Sequence, residues 1–124
     1  MNPKKTVMVV DDSVSVRQAI CGSLEEAGYD TVEAEDGTQA IAQLDGRKIN
    51  LIICDVNMPN MDGITFVKEM RTMESYKFTP VIMLTTESAE AKRLQGQMAG
   101  AKAWVVKPFR PQQMMNAIAK LIQP

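Results

Sequence analysis

The chain has 124 residues, 45% of them apolar and 23% charged, which suffices for one domain with a hydrophobic core and is too little for two of ordinary size. Its 14 basic and 15 acidic side chains give a net charge of −1, so bulk positive charge supports neither nucleic-acid binding nor attachment to a membrane surface. Histidine is absent, which removes Ser-His and Cys-His nucleophilic sites and His-ligated zinc.

Met1 to Lys5 lead into the run Thr6-Val7-Met8-Val9-Val10, apolar after its first residue, as in a parallel strand buried on both faces. After Asp11-Asp12-Ser13, Val16, Ile20, Leu24 and Ala27 recur at helical spacing, with Asp12 or Ser13 able to cap the start and Gly28 to close the end. Thr31 to Glu35 alternate apolar and polar residues, the pattern of a strand with one exposed face at a sheet edge. Asp36-Gly37 is read as a turn, and Ala40, Ile41 and Leu44 mark a short helix ending near Gly46.

Leu51-Ile52-Ile53-Cys54 is an apolar run that stops abruptly at Asp55, before the loop Val56-Asn57-Met58-Pro59-Asn60-Met61-Asp62-Gly63. That is how a buried strand delivers one carboxylate to a surface pocket. Ile64, Phe66, Val67, Met70 and Met73 predict a helix running to about Tyr76. Pro80 to Leu84 form an apolar strand leading into Thr85-Thr86-Glu87-Ser88. Ala91, Leu94 and Met98 mark a helix stopped by Gly100, and Ala103 to Val106 a fifth strand ended by Lys107-Pro108. Pro111 begins a last helix with Met114 or Met115, Ile118 and Ile122 as its buried stripe. Five strands alternating with five helices predict a three-layer α/β/α domain over residues 1–124, built on a parallel sheet.

No apolar run reaches transmembrane length and the N-terminus lacks a signal-peptide core, so a cytoplasmic protein without membrane insertion is expected. Cys21 and Cys54 fall in a helical and a strand pattern, where reduced structural thiols are expected.

In an open parallel sheet, ligands collect beyond the C-terminal ends of the strands. Asp11, Asp12, Asp55, Thr85 and Lys107 all stand at such ends. Two like charges about 4 Å apart repel by roughly 4 kcal/mol at an effective dielectric near 20. Lys107 offsets part of that, and a hard divalent cation such as Mg²⁺ would offset the rest while keeping waters for a phosphate oxygen. A carboxylate so placed can attack phosphorus. Asp55 is the candidate nucleophile, the acidic pair the metal holder, and Lys107 and Thr85 the groups able to reach a transferred phosphoryl group. Taken singly, Lys107 reads as a surface lysine and Thr85 as a helix cap; together they define a site.

With Asp11-Asp12, Asp55 followed by Met58-Pro59-x-Met61-Asp62-Gly63, Thr85 and Lys107-Pro108-Phe109 in this order, the chain resembles the receiver domain of two-component response regulators over essentially its whole length. It is most similar to the single-domain, chemotaxis CheY-like kind. The resemblance implies a flavodoxin-like sheet of order 2-1-3-4-5, and Mg²⁺ held by Asp11, Asp12, Asp55 and the backbone carbonyl of Asn57. It implies phosphorelay signal transduction, with transfer to Asp55 from a phosphohistidine of a sensor histidine kinase, in chemotaxis a CheA-like one, and a cis peptide before Pro108. It further implies a switch in which Thr85 moves toward the phosphoryl group and Trp104 turns inward, altering the surface of the fourth helix, fifth strand and fifth helix. The family usually carries tyrosine or phenylalanine at this last position, so Trp104 is a departure. Asn57 and Glu87 resemble residues that tune dephosphorylation, by attacking water or a phosphatase.

A haloacid-dehalogenase-type phosphohydrolase also forms an aspartyl phosphate, but its first strand should end in Asp-x-Asp, not adjacent Asp11-Asp12. A flavin- or dinucleotide-binding module would need a Gly-rich turn after the first strand, which is missing. No output domain fits after the last helix, so the expected output is a protein contact made by a monomer that catalyses only its own phosphorylation and dephosphorylation. The flagellar motor switch is the leading target by resemblance; an adaptor or phosphate-sink receiver is the alternative.

Overall fold

The computed structural model describes residues 4–86, 97 and 100–122. Glu87 and the helix expected over Ala91, Leu94 and Met98 lie outside the described residues. Within them, β1 (Thr6–Val10), β2 (Asp30–Ala34), β3 (Leu51–Asp55), β4 (Val81–Thr85) and β5 (Ala103–Val106) form one sheet. Four helices accompany it: α1 (Val14–Glu26), α2 (Gly37–Gln43), α3 (Gly63–Met70) and α4 (Pro111–Leu121), the last being the fifth helix of the sequence reading.

The sheet is parallel throughout, in the order β2-β1-β3-β4-β5, and β2 is the edge strand that its alternating pattern predicted. Because side chains alternate across a strand, each apolar strand feeds two cores. Met8, Val10, Ile52, Cys54 and Met83 face α2 and α3 and pack with Phe66, Val67 and Met70. Val7, Val9, Ile53, Ile82 and Leu84 face α1 and α4 and pack with Ile20, Leu24, Met114 and Ile118. The helices so cover both faces, and the loops at the C-terminal strand ends are left to carry polar chemistry. Both cysteines are buried and free, as expected.

Capping follows local chemistry. Ser13, rather than Asp12, caps α1 by accepting from Val16 N–H. Gly28 follows the end of that helix at φ +93°, and its N–H bonds Glu25 O. Asp36-Gly37 is not a free-standing turn: Asp36 is the N-cap of α2 and accepts from Gln39 N–H, with Gly37 the first helical residue.

The largest difference from the sequence reading is α3, which ends at Met70 and not near Tyr76. Beyond it the Arg71 guanidinium takes the carbonyls of Tyr76, Lys77 and Thr79 through Nη1 and that of Gly100 through Nη2. These carbonyls are turned inward to a charged donor, which a continuing helix would not allow. Tyr76 is buried, its hydroxyl accepting from Gly46 N–H at 2.9 Å and donating to Arg47 O at 2.7 Å. Periodicity alone reports that Met73 and Tyr76 face the core, and the tertiary hydrogen bonds decide that Tyr76, buried, and Met73, partly buried, reach it from turns.

Tyr76→Phe removes both hydroxyl bonds and leaves a backbone N–H and C=O to find other partners. Urea unfolding should show a loss of about 1–3 kcal/mol; a loss below roughly 0.3 kcal/mol would mean that water replaces the hydroxyl without cost.

Candidate functional site

Parallel pairing brings Asp11, Asp55 and Lys107 together. In the register Val10 lies opposite Cys54 and Thr85 opposite Val106, so the residues that follow these strands emerge at one edge. Asp11 is fully buried and Asp55 only 5% exposed, while Asp12 is exposed. Lys107 Nζ bridges the buried pair, 2.9 Å from Asp11 Oδ2 and 3.3 Å from Asp55 Oδ1. The single ammonium thus serves two carboxylates.

Each member is held by neighbours. Asp11 Oδ1 accepts from Ser13 N–H at 2.8 Å, which fixes the carboxylate and turns Oδ2 to the site. Arg17 Nη1 donates to Asp11 O at 2.7 Å while Arg17 Nε pairs with Glu33 at 3.1 Å, tying the end of β1 to α1 and β2. Lys107 N–H donates to Thr85 O at 2.7 Å, and Lys107-Pro108 is cis, as the resemblance implied. Gly63 starts α3 against β3: its N–H bonds Val56 O at 2.9 Å, and a Cβ there would collide with the carbonyl oxygen of Asp55.

Burial raises the pKa of Asp55 to about 6, with the neighbouring Asp11 charge adding to the rise and Lys107 opposing it. For Lys107, burial pulls the pKa down, but its hydrogen bond to Asp11 and the charges of Asp55 and Asp11 outweigh that, so it is raised. Lys107 is therefore a fixed positive charge and Asp55 is mostly ionised at neutral pH.

Carboxylate oxygens of Asp11, Asp12 and Asp55 lie within 4.8 Å of one another. Asp11 is fully buried, and its Oδ2 has the Lys107 ammonium 2.9 Å away as its charge partner. Three carboxylates against one ammonium leave an excess of negative charge, and the donors are hard oxygens. This set fits a small divalent cation such as Mg²⁺.

Thr85 is buried at the end of β4, with its hydroxyl donating to Thr86 O at 3.2 Å. Asn57 is exposed in the loop after β3. Trp104 stands opposite Met83 on β5, partly buried against the α2/α3 core, beside a groove of about 520 Å³ lined also by Lys102, Gln113, Asn116 and Lys120. A second, apolar groove of about 570 Å³ runs between α1 and α4 and counts Thr86 and Lys107 among its lining residues.

The sequence model of the response regulator receiver domain matches residues 7–119. The chain belongs to that family. The receiver domain is 41% identical over 108 residues to the chemotaxis protein CheY1 of Helicobacter pylori strain 26695, covering 86% of this chain and 87% of that protein. It is 34% identical to the phosphate regulon transcriptional regulatory protein PhoB of Pseudomonas aeruginosa over 96% of this chain, and spans about half (52%) of that relative's length. The solved structure of the chemotaxis response regulator CheY4 of Vibrio cholerae superimposes with a TM-score of 0.91 at 42% identity, over 97% of this chain and all of that one.

Arg17 and the contact between Asp36 and Asn60 are not indicated by the sequence, and Gly63 stands in the motif after Asp55 without an assigned role. Gly63 carried a signal, since glycine directly after an N-cap is a poor helix former and marks a close backbone approach. Arg17 carried none, because its partners arrive from β2 and from the end of β1.

The raised pKa of Asp55 has a thermodynamic consequence. A carboxyl whose folded pKa exceeds its unfolded value of 3.8 favours the fold when protonated, and that contribution is lost as pH rises through about 6. In metal-free protein at pH 7.5, Asp55→Asn should therefore be more stable than wild type by roughly 2–3 kcal/mol at most. The gap should close as pH falls from about 6 to about 4; thermal melts in chelator check this, and a pH-independent gap would contradict it.

Proposed function

We propose that this receiver domain is a phosphorylation-driven switch: Asp55 accepts a phosphoryl group from the phosphohistidine of a sensor histidine kinase, and the altered surface around Trp104 binds a target protein. The observation that carries the reading is the Lys107 ammonium between the buried carboxylates of Asp11 and Asp55, with Asp12 beside them.

In the proposed step an Asp55 carboxylate oxygen forms a bond to phosphorus as the phosphorus–nitrogen bond breaks, and the electron pair leaves with the imidazole. Lys107 meets a phosphoryl oxygen as negative charge shifts onto it. Thr85 turns its hydroxyl from Thr86 O to another phosphoryl oxygen. Asp11, Asp12, Asp55 and the backbone carbonyl of Asn57 would hold Mg²⁺, which supplies positive charge to the equatorial oxygens. Asn57 and Glu87 stand two residues beyond Asp55 and Thr85 in the chain and tune hydrolysis of the acyl phosphate, by water or with a phosphatase.

The switch is a population shift: the phosphoryl group favours one packing because its oxygens find Thr85 and Lys107 only there. Similarity to two chemotaxis proteins at 41% and 42% identity supports a role in chemotaxis, with the flagellar motor switch as the proposed target in a cytoplasmic setting. Among the described residues no helix is long and apolar enough to cross a membrane.

Incubation with Mg²⁺ and acetyl phosphate should add one phosphoryl group, by mass, to wild type and none to Asp55→Asn. At about a hundred times its dissociation constant, Mg²⁺ alone should stabilise wild type by roughly 2.7 kcal/mol and leave Asp12→Ala nearly unmoved. An unchanged mass and melting temperature in wild type would sink the reading. Trp104 is the sole tryptophan, so its fluorescence should change when Asp55 is phosphorylated; an identical spectrum in fully phosphorylated protein would rule out a switch centred on it.

A further inference from the structure

The loop after β3 is fixed at two places, and only one belongs to the site described above. At its base Gly63 N–H bonds Val56 O, and Val56 N–H bonds Leu84 O at 3.0 Å. At its apex the chain turns sharply: Met61 N–H bonds Pro59 O at 2.7 Å across Asn60, which sits at φ +67°. That is a three-residue turn with positive φ at a side-chain-bearing residue, a conformation that persists only where surrounding contacts impose it.

The imposing contacts come from the N-terminus of α2. Asn60 Nδ2 donates to Asp36 Oδ2 at 2.7 Å, while Asp36 Oδ1 accepts from Gln39 N–H at 2.8 Å. Gly37 N–H donates to Met61 O at 3.1 Å, and a Cβ on Gly37 would come within 2.7 Å of the Met61 side chain. Asp36 is buried, and the bonds from Gln39 and Asn60 hold its carboxyl below the usual carboxylate range. One oxygen caps a helix; the other clasps the neighbouring loop.

We infer that Asp36 and Asn60 form a latch that positions the backbone of Asn57, and through it the affinity of the acidic site for its divalent cation. Asn57 lies in the short span between the anchored Val56 and the latched Asn60, so loosening either end widens the range its carbonyl can sample. The latch rests on the reading of Asn57 as a backbone metal ligand. Asp36 and Asn60 touch neither metal nor phosphoryl group and are positioning residues. Their effect is that of an outer-shell partner orienting a ligand, which commonly changes metal affinity about tenfold or more.

The test uses variants that keep the fold. Asp36→Ser retains a helix cap but loses the second oxygen; Asn60→Gly accepts the positive φ but loses the amide; Asp36→Asn can cap α2 and still pair with a flipped Asn60 amide. Mg²⁺ binding is measured by calorimetry on each, with urea unfolding in chelator alongside. Asp36→Ser and Asn60→Gly should each raise the Mg²⁺ dissociation constant by about tenfold, the double variant should be no worse than either single, and Asp36→Asn should stay near wild type. Phosphorylation by acetyl phosphate should recover in both singles once Mg²⁺ is saturating. Dissociation constants within about twofold of wild type, or single effects that simply multiply in the double variant, would overturn the latch. Should Asp36→Ser fail to fold, Asn60→Gly alone decides. Absence of Mg²⁺ binding in wild type would overturn the metal reading as well, whereas equal binding by wild type and variants overturns the latch alone.

Discussion

Two carboxylates, Asp11 and Asp55, are buried side by side at the end of a parallel sheet, and one ammonium, Lys107, stands between them. Burial and the neighbouring Asp11 charge both penalise ionisation of Asp55, and the ammonium opposes them. The ammonium meets the same burial and overcomes it through the same two partners. The site is thus a three-body arrangement in which one ammonium offsets two buried carboxylates that repel each other. It still carries more negative than positive charge once Asp12 is counted. This unfinished compensation suits the site to a small divalent cation.

The rest of the fold serves that arrangement. The apolar strands fill both cores, so the sheet is fixed by packing and the ends of β1, β3 and β5 are fixed with it. Arg17 ties the backbone of Asp11 to α1 and β2, and Gly63 lets α3 start against the carbonyl of Asp55. Lys107 is bound through its backbone to Thr85, so the hydroxyl proposed to move and the ammonium proposed to stay are neighbours on paired strands. Trp104 lies two residues before Val106, the register partner of Thr85.

Much of this was legible in the sequence because the relevant signals are local. An apolar run that stops at an aspartate needs no partner to be read, and repeating it across strands identified Asp11, Asp12, Asp55, Thr85 and Lys107 together. The end of α3 was not legible, since Met73 and Tyr76 keep a helical spacing although the chain there is bent by Arg71 and the Tyr76 hydroxyl. Asp36-Gly37 looked like any turn, since its partner Asn60 arrives from a loop 24 residues away.

What the sequence determined by itself is the class of fold and which polar side chains stand at the strand ends, because hydrophobic period and strand-end residue type are written in consecutive positions. Tertiary structure alone decided that Lys107 spans both buried carboxylates, that burial lifts the pKa of Asp55 to about 6, and that Asp36 holds the loop beyond it. Each of these depends on distance and desolvation between residues far apart in the chain, quantities that exist only once the strands are side by side.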